Sequence, residues 1–117
     1  MEVTRLPEFD RDLKRLRKRF ATIDKDLKLL LKIQILFHQG RFDNQGTVRI
    51  PGVGSEHVRI YKVRKFACKS LKGKASWTGL RLIYCFQPDK KRIELIEIYF
   101  KQDKEMEDRD RIRKHYP

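Results

Sequence analysis

The chain has 117 residues, two cysteines and 29 Lys plus Arg against 16 Asp plus Glu, a net charge of +13. That length suits one domain, residues 1–117, rather than a multidomain enzyme. Two cysteines, Cys68 and Cys85, form neither a disulfide framework nor a zinc pattern, and no apolar run reaches the ~18 residues of a membrane span.

In chain order, Glu2–Leu6 is a short extended candidate stopped by Pro7. Phe9, Leu13, Leu16 and Phe20 then fall on one helical face, with Pro7, Glu8, Asp10 and Asp12 suiting the helix start. Thr22 is a candidate N-cap for a second helix running to about His38, striped by Ile23, Leu27, Leu30, Gln34 and Phe37. Gly40 ends it, and the short connection predicts an antiparallel helical hairpin. Residues 39–56 are glycine-rich loop with a brief extended piece at Thr47–Ile50. Three β runs follow, at Val58–Phe66, Gly79–Gln87 and Arg92–Lys101. The last two are joined by the turn Pro88–Lys91 as an antiparallel hairpin. Met106–His115 is a charged C-terminal helix candidate. The expected class is α+β, a short N-terminal strand and an αα hairpin on a small, mostly antiparallel sheet.

Residues 57–88 carry eight basic side chains and no Asp or Glu. A surface that needs only solubility intersperses both signs, so this stretch points to a phosphate backbone. Strand alternation puts Tyr61 and Val63 on one face, and Lys62 and Arg64 together on the other, expected to be open. Arg81, in LRLIY, has no acidic neighbour in sequence. It either pairs with Glu94 or Glu97 on the next strand or holds a phosphate through its fork of donors. Glu94 and Glu97, at odd spacing, are expected to face opposite ways. No zinc-protease, P-loop, dinucleotide or catalytic-triad pattern is present, and neither metal nor cofactor is expected. With no apolar leader in MEVTRLPEFD and no disulfide pattern, a cytoplasmic location is the simplest expectation.

The segments IYKVRKF, GKASWTGLRLIY and RIELIEIYFKQDKE, preceded by F-x-R-x-L-K-R-L-x-K-x-F, resemble the RelE/ParE superfamily of bacterial toxins. The resemblance extends over essentially the whole chain and is most specific across residues 58–104. It implies a toxin of a type II toxin–antitoxin system acting as a ribosome-dependent messenger-RNA endoribonuclease (an mRNA interferase) that inhibits translation. In such a reaction the substrate's 2′-OH attacks the adjacent phosphodiester without a metal. Under it, Lys62 is a base or phosphate ligand, Arg64 a phosphate ligand and Arg81 the transition-state arginine. Lys101 and Lys104 form the basic exit of the last strand. Lys65, Lys69, Lys72 and Lys74 would bind RNA, and Trp77 would stack on a base or anchor the core. The implied partners are a cognate acidic antitoxin, forming a hetero-oligomer, and the ribosome with its messenger RNA; no membrane is involved. The resemblance leaves two alternatives, a ParE-like inhibitor of DNA gyrase and a catalytically silent RNA-binding relative. Many RelE-like nucleases carry a Tyr or His soon after the basic exit, where this chain reads KQDKEMEDRD and has neither until His115 and Tyr116.

Overall fold

The strand and helix signals condense into a computed structural model that describes residues 1–43 and 46–117, apart from the Thr78 side chain. Its elements are β1 (Glu2–Arg5), α1 (Pro7–Arg17), α2 (Ile23–His38), β2 (Thr47–Arg49), β3 (Arg59–Val63), α3 (Ala75–Thr78), β4 (Leu80–Gln87), β5 (Arg92–Phe100) and α4 (Arg109–His115). The five strands form one mixed sheet in the order β1-β5-β4-β3-β2. β1 runs parallel to β5 and every other pairing is antiparallel. Among the described residues no helix is long and apolar enough to cross a membrane.

The helical hairpin covers one sheet face. Phe9, Leu13 and Leu16 of α1 and Ile23, Leu27 and Leu30 of α2 are buried, each full burial contributing about 1.5–3 kcal/mol. Against them lie Tyr61, Leu82, Tyr84, Phe86 and Phe100. Phe20 meets Phe100 edge-on at 5.1 Å, and His38 stacks on Phe86 at 4.0 Å. The expected cap of α2 works differently. Thr22 makes no side-chain cap; its hydroxyl donates to Asp26 Oδ2 (2.6 Å), and its backbone N–H donates to Ser70 Oγ (2.9 Å). Asp26 also accepts the Lys69 N–H at 3.0 Å, so the start of α2 is tied to the basic loop.

β1 pairs with β5 only as far as Leu95, leaving the second half of that edge without a strand neighbour. α1 runs against it. The buried Asp12 accepts the Ile98 N–H (3.4 Å) and pairs with Arg111 (2.7 Å), which also donates to the Ile96 carbonyl at 2.9 Å.

Two expectations about the opposite face are corrected. First, the β4–β5 ladder slips between Ile83 and Tyr84: Ile83 pairs with Glu97 and Tyr84 with Leu95. Ile96 is the extra residue, and such a bulge breaks strict alternation. Glu94 and Glu97, opposite Cys85 and Ile83, therefore share one face. Second, that face is not open. The C-terminal segment crosses it, with Lys104 on Glu97, Glu107 on Lys62, the Asp108 N–H on Glu97 and the Tyr116 hydroxyl on Glu94. Ile112 is fully buried there. α4 begins at Arg109 rather than Met106, because Asp108 accepts the Arg111 N–H (3.0 Å) as its N-cap.

Candidate nucleic-acid interface

Sheet register assembles the charged face. Lys62 on β3 is opposite Ile83 on β4, which is opposite Glu97 on β5. Arg81, two residues before Ile83, shares that face and stands opposite Tyr99. Lys62 and Arg81 are thus diagonal neighbours.

Arg81 is 8% exposed, and its Nη1 donates to the Arg64 carbonyl at 3.0 Å. Burial lowers its pKa, Tyr99 works against that shift and the positive charge of Arg64 adds to it. A guanidinium stays charged regardless. It is therefore a desolvated cation held on a rigid strand, the condition in which it stabilises an anion most strongly. Arg64 is exposed just beyond the end of β3. Its backbone supports Arg81 directly.

Tyr99 completes the group, and sequence reasoning missed it. It lies inside the apolar run RIELIEIYF, before the basic exit rather than after it. It is 5% exposed, and among the described residues its hydroxyl has no hydrogen-bond partner. Burial, with Glu107 and Glu97 adding to it, pushes the phenol up to about 12, so it keeps its proton at neutral pH. Lys104 Nζ lies 5.2 Å from the Tyr99 ring centre and 2.5 Å from Glu97 Oε2. Glu107 accepts from Lys62 Nζ (3.0 Å) and Arg109 Nε (3.1 Å). Burial alone would raise the Glu107 pKa, but these contacts outweigh it and hold the carboxyl below its usual value. The only cue to Glu107 in the sequence is an acid in a charged stretch.

Of the expected site residues, Lys62, Arg81 and Lys104 come together, with Arg64 at the margin. Lys101 is exposed at the end of β5, its N–H donating to the Gly79 carbonyl at 2.7 Å. Lys72 and Lys74 are exposed on the loop before α3. Lys65, Lys69 and Trp77 lie elsewhere, in a groove of about 540 Å³ walled by Leu29, Leu30 and Ile33 of α2 and by Phe42 and Ala67. Trp77, 63% exposed, is not a core anchor, and it stands on the hairpin side rather than beside Arg81. Comparison of the chain with known protein families, curated proteins and solved structures finds no match.

Cys68 and Cys85 are buried and unpaired, and both thiols are pushed upward by burial, Cys85 to about 12. They pack as small apolar groups and have little nucleophilic character.

Proposed function

We propose that the chain is a RelE-like, ribosome-dependent messenger-RNA endoribonuclease, the toxin of a toxin–antitoxin pair. The observation that carries this reading is the placement of Arg81 between Lys62 and Tyr99 on one face of the sheet. Attack by a 2′-OH on the adjacent phosphodiester forms a new P–O2′ bond as the 2′ proton passes to water, builds negative charge on the phosphate oxygens and expels the 5′ oxygen, which takes up a proton. Arg81, fixed on its strand, meets the growing charge with little reorganisation, and Lys62 joins it on release from Glu107. Tyr99, protonated at neutral pH, is placed to donate to a phosphate or leaving oxygen. The products are a cyclic phosphate and a 5′-OH end. Arg64, Lys101, Lys72 and Lys74 hold the flanking strand through counterion release.

The acidic antitoxin expected from the resemblance fits the groove beside α2. Its lining is apolar, and Lys32, Lys65 and Lys69 surround it. A helical segment with an apolar stripe and acidic flanks would match both features.

The test is primer extension on messages carried by translating ribosomes. Cuts within the translated region, leaving cyclic-phosphate ends, are the expected result. Intact message together with inhibited gyrase supercoiling would replace this reading by the gyrase-binding one.

A further inference from the structure

Residues 101–108 join β5 to α4 as a strap without helix or strand. Its side chains are exposed or half-buried with one exception, Glu107, whose side chain is 3% exposed. A strap held by packing would turn an apolar residue inward, but this one turns in a carboxylate, and Met106 beside it points outward. The other side-chain ties are also polar. Lys104 binds Glu97, Asp103 binds Arg19 at 2.5 Å, and Arg109 donates to the Pro51 carbonyl at 3.1 Å. On the face it crosses lie Lys62, Arg81 and the Tyr99 hydroxyl, which has no hydrogen-bond partner among the described residues.

We infer that the strap is an autoinhibitory plug in which Glu107 occupies the place of a substrate phosphate on Lys62 and Arg109, so that RNA enters by displacing it. The inference rests on reading this face as a phosphodiester site. Glu107 is the right mimic, because a carboxylate and a phosphate present similar paired oxygens to a cation. A strap fastened by ion pairs rather than apolar burial can be released by a polyanion at modest cost. Competition between one carboxylate and a chain of phosphates favours the chain, which also engages Arg64, Lys72 and Lys74.

The experiment needs no ribosome and no cleavage. A fluorescent twelve-nucleotide oligo(U) is titrated into wild type and Glu107→Gln, and cleavage after the exposed strap residue Glu105 by a glutamate-specific protease is timed by mass spectrometry with and without the oligonucleotide. Removing the competing charge is expected to tighten oligo(U) binding roughly tenfold. In wild type the oligonucleotide should accelerate cleavage of the strap. In Glu107→Gln cleavage should already be fast and gain little. Equal affinity of folded Glu107→Gln and wild type, or protection of Glu105 by bound oligonucleotide, would overturn the inference. The wild-type proteolysis arm decides the question even if the variant folds poorly. A chain that never cuts messages but still shows tighter binding and strap release keeps the plug and loses only the nuclease reading.

Discussion

Arg81 and Tyr99 face each other across the β4–β5 ladder, a buried cation opposite a buried phenol whose hydroxyl lacks a hydrogen-bond partner among the described residues. The pair joins a group that meets charge to a group that can give a proton. Two predictions separate these roles.

Arg81→Ala should lower ribosome-dependent cleavage by roughly 10²–10³, the usual effect of losing one preorganised donor. The Arg64 carbonyl also loses its Arg81 donor, so stability should fall by about 1–3 kcal/mol. Primer extension at a temperature where circular dichroism shows the variant folded isolates the catalytic loss. Full cleavage by the folded variant would remove Arg81 from the mechanism.

Tyr99→Phe should do the opposite to stability. Deleting a buried hydroxyl that makes no hydrogen bond among the described residues leaves the unfolding midpoint unchanged or raised by the equivalent of about 1 kcal/mol. Cleavage should nevertheless drop at least tenfold, by about 10²-fold if the phenol is the proton donor. Single-turnover rates beside thermal melts read both. An unaltered rate would assign Tyr99 to packing.

Asp26→Ala should uncouple the basic loop from α2. The buried Asp26 carboxylate holds the Thr22 hydroxyl and the Lys69 N–H, and its loss leaves that N–H without its acceptor. A cost of about 2–3 kcal/mol should lower the melting midpoint by about 10 °C. Trypsin should cut faster after Lys69 and Lys72. A midpoint within 2 °C of wild type, roughly the size of a surface effect, would show that the loop is fixed by other means.

Stability should also fall with acid through His38. Its ring is stacked on Phe86, with Nε2 2.6 Å from the Tyr84 hydroxyl, which itself donates to Gln34. Burial, then the charge of Arg59, lowers its pKa from 6.5 to about 4. Between those values the unfolded chain binds the extra proton, so the stabilising effect of neutral His38 is complete above the unfolded pKa and is lost as pH falls toward 4. The Glu8–His115 pair acts lower, its benefit lost as pH falls from 4.5 toward 2. Melts at pH 7 and 4.5 should differ for wild type and much less for His38→Gln. An NMR titration of His38 with a midpoint near 6.5 would contradict the assignment.

The helical hairpin and the three main strands were legible because their apolar residues repeat at the periods of helix and strand. The same logic set Lys62 with Arg64, and only the β3–β4 register brings Arg81 beside Lys62. The logic failed where an element departs from its period. Ile96 inserts one residue into β5 and turns Glu94 and Glu97 to the same side. Tyr99 was hidden because an aromatic in an apolar strand reads as core, which by burial it is. The strap carries no periodicity, so nothing in KQDKEMEDRD announces that Glu107 alone turns inward. Trp77, in the single turn α3, and Phe42, in the loop after α2, are far apart in sequence and reach one groove beside α2 by a chain path that no local pattern dictates.

The Asp12–Arg111 pair has a consequence for life in a crowded solution. A strand edge with free N–H and C=O groups invites a strand from another molecule, and the half of β5 beyond Leu95 would be such an edge. Asp12 occupies the Ile98 N–H and Arg111 the Ile96 carbonyl, so two of the backbone groups that a stranger would grip are already taken. Without the carboxylate, Arg111 would lose its anchor and the edge its guard together. Self-association by strand addition, rather than simple unfolding, is the failure this arrangement holds off.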